Sequence, residues 1–383
     1  MENKYRYTTD SDEDINMETM DAKEQTIADT IKETDKKCDA CGGTMDFNPK
    51  KGNLVCPYCG TEKEIKVDNP QFEAQELDFN QAEEQASCDW GTATKTVICK
   101  SCGAQTVYDV NKIANECPYC GSNQVMEAGS EAVMAPGGVV LFKLDAKGAS
   151  ERFKRWIGGK FFCPKLAKDS AKPKSFKGMY VPFWTFDSQT ISQYSGQYGK
   201  NRVVRGHDGK MVTKTTWHFT RGQLSYPIDD ILVCASSKQN EAMLKSVEPF
   251  NTKDVAEYKP EYMAGFMAER YTIKMRDAWE TARDKIAQIV RGEVHQKIQR
   301  ETGADSIGNV HIQTVYRNIT YKYLLLPVWI SSFQYNGKVY HFMVNGQTGR
   351  VSGQTPVSAA KVAITVIAAL VILAILMRLT SIY

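Results

Sequence analysis

Histidine is scarce in this chain. The five in 383 residues, His207, His218, His295, His311 and His341, lie far apart. No HExxH, GxSxG or Cys-His signature accompanies them, so the common metallohydrolase, serine-hydrolase and thiol-protease arrangements have no foothold and no enzyme is expected. A phosphate loop is missing as well. The Gly-Lys pairs stand in GGKF, YGKN, DGKM and NGKV. None is followed by Ser or Thr and none opens a helix after a strand, which argues against a helicase and predicts no nucleotide cofactor. The charge is close to balanced, a formal net of +3. The opening residues, ENKYRYTTDSDEDINMETMD, have neither an apolar core nor a cleavage site. No secretory signal is read there, so the thiols are expected in a reducing cytoplasm, as metal ligands rather than disulfides.

Cysteine, by contrast, is abundant and ordered. Cys38 and Cys41 lie in CDACGG, and after fourteen residues Cys56 and Cys59 follow in CPYCG. Cys99 and Cys102 lie in CKSCGA, and after another fourteen come Cys117 and Cys120, again in CPYCG. Every cysteine of the first set recurs 61 residues later, so eight of the eleven belong to a duplicated four-thiol module. A single CPYC could be a redox pair, as in glutaredoxins. That chemistry needs a buried strand before it and a long helix after it, whereas GTEKEIKVDNP is polar and turns. Two CxxCG knuckles on short hairpins instead complete a tetrahedron of sulfurs. Iron in a rubredoxin-like site is the rival, but those sites separate their knuckles by a longer aromatic stretch. Two structural Zn2+ ions are therefore expected. A site closed by four thiolates has no position left for water. Cys88, Cys163 and Cys234 have no partner at ligand spacing and read as buried small side chains.

The only long charge-free run is at the C-terminus. Val362 to Met377 is sixteen residues, extended by Arg378, which can snorkel, and by Leu379 to Ile382. It reads as a single transmembrane anchor, the protein being tail-anchored in the cell membrane with its bulk in the cytoplasm. The flanking charges, Arg350 and Lys361 before and Arg378 after, support that orientation only weakly.

Between modules and anchor the pattern is α+β. Asp145 caps a helix with Ala149, Phe153, Trp156 and Ile157 on its apolar face. Strands follow in GMYVPFWTFD, ISQYSGQYG, NRVVRG and KMVTKTTWHFT, with HDG as a hairpin turn, then a short helix over 238–247. A long amphipathic helix over 274–300 carries Met275, Trp279, Ala282, Ile286, Ile289, Val290, Val294 and Ile298 on one stripe. Further strands close the domain. YVPFW at 180–184 and LLPVW at 325–329 look alike, but short apolar strands coincide by chance, and the sequence leaves a duplication open. Asp229 and Asp230 read as a turn.

From about residue 37 onward the chain resembles a family of bacterial membrane-anchored proteins with two zinc ribbons of the transcription factor IIB type. The resemblance rests on the duplicated knuckles, on YVPFW, LLPVW and NGQTG, and on the apolar tail. Some members carry a name borrowed from the primosomal replication-restart helicase. It implies two small β zinc ribbons, a β-rich domain with amphipathic helices and one C-terminal transmembrane helix, and no activity. The expected organisation is an acidic tail over 1–37, a ribbon over 38–66, a polar and partly helical connector over 67–96, a second ribbon over 97–127, an α+β domain over 128–356 and the anchor over 357–383. Two functions survive. One is a scaffold or adaptor for an unidentified protein partner at the membrane. The other is DNA or RNA binding through the basic stretch 143–177, which holds eleven Lys or Arg against three carboxylates and includes Lys154, Arg155 and Lys160. A solvated face, or contact with anionic lipid heads, explains the same charges.

Overall fold

The computed structural model describes residues 37–67, 69, 72–80, 94–99, 105–109, 125–127, 134, 136–169, 176–205, 210–237, 241–335 and 338–380. The acidic tail before Lys37, Cys88 and the HDG turn lie outside the described residues. A small sheet is built from β1 (Asp46–Asn48), β2 (Asn53–Val55) and β3 (Glu62–Lys63), in that order. The other described strands form one twelve-stranded sheet. In chain order these are β4 (Leu77–Asp78), β5 (Thr94–Cys99), β6 (Gln105–Asp109), β7 (Val125–Glu127), β8 (Gly138–Val140), β9 (Lys177–Arg205), β10 (Met211–Cys234), β11 (Val255–Ala256), β12 (Met267–Glu269), β13 (Ser306–Tyr335), β14 (Lys338–Asn345) and β15 (Val351–Gly353). The helices are α1 (Ala146–Gly158), α2 (Lys165–Lys168), α3 (Glu241–Val247), α4 (Met275–Thr302) and α5 (Ala359–Thr380).

One expectation needs correction. The three strands read from 178 to 206 are one strand, β9, of 29 residues; its glycines do not break it, because Gly199 is paired on both sides and Gly196 is paired with Thr220 of β10, opposite a bulge of β13. The described part of the connector contributes β4, where Thr320 and Tyr321 of β13 pair with Asp78 and Leu77, and residues 81–93, where helix was expected, lie outside the described residues. Elsewhere the pattern holds. Asp145 caps α1, its carboxylate accepting from Gly148 N at 2.8 Å. The stripe on α4 is buried, Ile289 alone only half so, and Ile286, Val290, Val294 and Ile298 are fully enclosed. Each such side chain contributes about 1.5–3 kcal/mol.

The likeness of YVPFW and LLPVW is structural. Both segments lie in the centre of the sheet, antiparallel to each other, and Val181 faces Leu326 at the middle of the pair. Around that point the surroundings repeat by a local two-fold. β8 runs parallel to β13, with Gly138 facing Leu324, as β12 runs parallel to β9, with Met267 facing Met179. Pro182 O accepts from Ala235 N at 2.9 Å, and Pro327 O accepts from Gly346 N at 2.8 Å. Ala235 O accepts from Thr272 and Ile273, and Gly346 O from Lys143 and Leu144. The Trp184 indole donates to Ile273 O and the Trp329 indole to Leu144 O, both at 2.9 Å. Each accepting carbonyl stands two residues before a helix, α4 or α1. The prolines fit the same scheme. Each sits one residue beyond the last pair of its hairpin, Phe183 with Cys234 and Val328 with Asn345, so its missing N–H removes no ladder bond. The chain therefore contains two copies of a strand, helix, long strand and hairpin unit, interlocked through their tryptophans.

Candidate metal centre

The two knuckles before and after β1 and β2 close alike. Gly42 N donates to Cys38 O at 2.8 Å and Gly60 N to Cys56 O at 2.9 Å. Both glycines are left-handed, with φ of 71° and 77°, a conformation that a side chain would strain. This folds each CxxC so that its sulfurs point to one side. Cys38 Sγ and Cys59 Sγ are 3.4 Å apart, Cys41 Sγ and Cys56 Sγ 3.5 Å, and all four lie within 4.8 Å of one another. Four sulfurs bonded to one zinc at about 2.3 Å stand about 3.8 Å apart, so the donor set fits a tetrahedral ion. None of the four is in a disulfide.

The thiols are unequal. The Thr61 hydroxyl, 3.1 Å from Cys59 Sγ, and the Thr61 backbone bring that thiol down to about 6. Cys41 takes a backbone hydrogen bond from Gly43, yet the adjoining Cys56 and Cys59 sulfurs push it up to about 12. Crowded sulfurs cannot all ionise in the absence of a cation, and a divalent ion removes that conflict. Thr61 was not visible as a site residue in the sequence; its place two residues after Cys59 is the one available hint.

The module is docked, not loose. Met45, Phe47 and Leu54 are buried, and the Phe47 ring meets Tyr262 and Phe266 edge-on at 5.5 and 6.3 Å. Phe47 N donates to Ala264 O at 2.9 Å. Lys50 Nζ reaches the Asp145 carboxylate at 2.9 Å.

Of the second cysteine set, Cys102, Cys117 and Cys120 lie outside the described residues, and only the backbone of Cys99 is described, at the end of β5. One pairing around it matches the first module. Ile98 pairs with Gln105 across the CKSC knuckle, as Lys37 bridges Thr44 across CDAC. The described residues contain a single four-cysteine cluster.

The chain is similar to the uncharacterized protein YdjG of Bacillus subtilis (strain 168), at 28% identity over 333 residues, 85% of this chain and 91% of that one. No family model and no solved structure matches it. That relative's name assigns no activity, so the chemistry must be argued from the residues.

A second acidic group draws together Asp187, Asp229 and Asp230. Asp229 and Asp230 lie not in a free turn but in a bulge of β10 between Ile228 and Ile231, with Asp230 at φ 49°. A cation already serves this group. Lys322 Nζ is 2.8 Å from Asp230 Oδ1 and 3.1 Å from Asp187 Oδ2, with Glu76 Oε1 at 3.5 Å. Burial raises the Asp187 carboxyl; burial also disfavours charged Lys322, but the two aspartates outweigh it and hold the ammonium well above its usual range.

The remaining expected residues fall as follows. Cys163 is buried and Cys234 half-buried. His218 stacks on Tyr198, with centroids 5.2 Å apart, and half-buried His341 has its pKa lowered by desolvation. Lys154, Arg155 and Lys160 are exposed, Lys160 Nζ standing 4.8 Å from the Trp156 ring centre. α5 contains one stretch, Ala359–Arg378, long and apolar enough to cross a membrane, and none of it is buried in the protein. Its 22 residues make about 33 Å of helix, against about 30 Å of bilayer hydrocarbon.

Proposed function

We propose that this protein is a membrane-anchored, zinc-stabilised scaffold that holds other proteins at the cytoplasmic face of the cell membrane. The reading rests on one combination: a closed four-cysteine cluster on a body from which a wholly unburied apolar helix projects. Cys38, Cys41, Cys56 and Cys59 hold one structural Zn2+, and Cys99, Cys102, Cys117 and Cys120 hold the second. The repeated spacing and the repeated strand pairing across both first knuckles support the second ion. Four thiolates leave no ligand position for substrate, so the ions stabilise structure and the role is non-enzymatic. Thiolate ligands are kept in a reducing compartment, which supports the cytoplasmic side.

The surface offered to a partner is the arm of β9, β10 and β13. On the face opposite Tyr194, which lies beside Glu301 and Lys297 of α4, the arm exposes Trp217, Phe219 and Val315. Exposed aromatic side chains on a flat sheet are typical of protein contact surfaces. Nucleic acid binding through Lys154, Arg155 and Lys160 is the second reading, supported by their common exposure.

The test is recovery from crosslinked membranes of the full-length protein and of a Trp217→Ser, Phe219→Ser variant. A protein enriched with the wild type and lost with the variant, at unchanged zinc content and membrane yield, is expected. Nucleic acid enriched with both and lost on Lys154→Glu, Arg155→Glu, Lys160→Glu would put the second reading first. Identical recoveries from wild type and variant would remove the arm as the partner surface.

A further inference from the structure

The apolar helix does not leave the body unaccompanied. Ser358 N donates to Phe162 O at 2.9 Å, and Lys361 Nζ donates to the carbonyls of Phe161 and Cys163 at 2.9 and 3.1 Å. The loop after α1 is thereby fixed against the first turn of α5. This loop and α2 turn large apolar groups outward: Phe161 is 65% exposed, Leu166 70% and Phe162 40%. The two phenylalanine rings meet edge-on at 5.3 Å, and the Lys361 ammonium stands 5.6 Å from Phe161. Cys163 between them is buried and roots the loop in the body. From 160 to 168 the chain reads KFFCPKLAK, three lysines and no carboxylate. Lys168 Nζ is committed to Gly158 O at 3.1 Å, whereas Lys165 and Lys160, the latter with its ammonium over the Trp156 ring, are exposed in the same short stretch as the phenylalanines.

Such a surface is costly in water and favourable at one depth. Where a span enters a bilayer, aromatic and aliphatic side chains sink to the boundary of the acyl chains, while lysine stems extend toward lipid phosphates. The hydrogen bonds to Ser358 and Lys361 place the loop at that level whenever α5 is inserted.

We infer that residues 160–168 are a docking platform for an anionic lipid bilayer, with Phe161, Phe162 and Leu166 inserted at the headgroup boundary and Lys160 and Lys165 on lipid phosphates. This rests on the reading of α5 as a span. One point of attachment would let the body swivel. The platform supplies a second, beside the first, and sets the tilt at which modules and arm face the cytoplasm.

The test uses full-length protein in lipid nanodiscs, of phosphatidylcholine alone or mixed with phosphatidylglycerol. A benzophenone-bearing phenylalanine analogue replaces Phe161, Leu166, Ile367 or Phe219 in separate samples, and lipid adducts are read by mass spectrometry after illumination. Phe219 is the control. It pairs with Gln197, which faces Gly308, at the opposite end of β13 from Ser331, whose partner Phe342 stacks on Phe153 of α1. Adducts at 161, 166 and 367 but not at 219 are expected. The yield at 161 should rise with phosphatidylglycerol, and Lys160→Glu, Lys165→Glu should abolish that rise. Adducts at 367 with only control levels at 161 and 166 overturn the platform and leave the span standing. Absence of adducts at 367 overturns the span, and the platform with it. A yield at 161 that ignores both phosphatidylglycerol and the lysine reversals overturns the anionic recognition.

Discussion

Replacing Lys322 by alanine should be among the most damaging single changes in the body. The side chains of Lys322, Asp187 and Asp230 are 11%, 12% and 21% exposed, so the group is mostly withdrawn from water. At about 3 Å and an effective dielectric constant of about 20, each lysine–carboxylate contact is worth about 5 kcal/mol of Coulomb energy, much of it offset by desolvation. Truncation leaves the desolvation and removes the attraction. The two aspartates then repel each other in the bulge, and about 3–5 kcal/mol of stability should be lost at pH 7. The sign of the pH response is specific. Burial already raises Asp187, and loss of the ammonium raises it further above its unfolded value. A carboxyl raised in the folded state costs more stability as pH rises and less as it falls. Lys322→Ala should therefore recover part of its loss as pH drops toward the carboxylate range. The triple change Lys322→Met, Asp187→Asn, Asp230→Asn should be far milder than the single one. Thermal or denaturant unfolding in detergent, followed by near-ultraviolet circular dichroism, measures each quantity. A loss below about 1 kcal/mol, or one that grows on acidification, would refute the placement of the charges.

Three further outcomes follow from the same structure. Elemental analysis should find two zinc ions per chain; Cys59→Ser should remove one of them, and predominant iron would count against the assignment. Deleting residues 359–380 should release the protein from carbonate-washed membranes, whereas continued pelleting would show that α5 is not the anchor. Trp184→Phe and Trp329→Phe should each cost about 1 kcal/mol, the worth of one buried hydrogen bond, and clearly unequal losses would weaken the two-fold equivalence.

The sequence was most informative where chemistry restricts composition. CxxCG is useful only if its thiols converge, so the four sulfurs of the first module could be placed before any fold was known. Asp145 and the stripe on α4 were legible because capping and helical burial are local. The long strands were not. Whether β9 ends at Gly196 or continues to Arg205 depends on pairing, with β10 over residues 200–205 and with β10 and the distant Ser306 of β13 at Gly199, and alternation over so many residues looks the same as several shorter strands. The salt-bridge group was hidden for a similar reason, since Asp187, Asp230 and Lys322 meet only through the pairing of β9 with β10 and β13. Phe161 and Phe162 fall inside the basic stretch 143–177, but their position at the foot of α5 is set by hydrogen bonds from residues 358 and 361.

Two duplications meet in this chain, and the place where they meet is asymmetric. β8 and β12 occupy equivalent positions beside β13 and β9. The outer edge of β8 is covered by β11, through Val255 and Ala256, whereas the outer edge of β12 is covered by β6 of the second cysteine module, through Val107 and Thr106. The first module grips the same short segment from another side, with Phe47 on Ala264, Tyr262 and Phe266. Both modules thus bear on residues 262–269. An ion that orders the first module holds Phe47 against Tyr262 and Phe266, and Phe266 in turn stacks on Phe142 and meets Trp329. Loss of that ion should therefore be felt at the tryptophan that locks one repeat to the other, which makes the cysteine modules part of the core's integrity and not appendages to it.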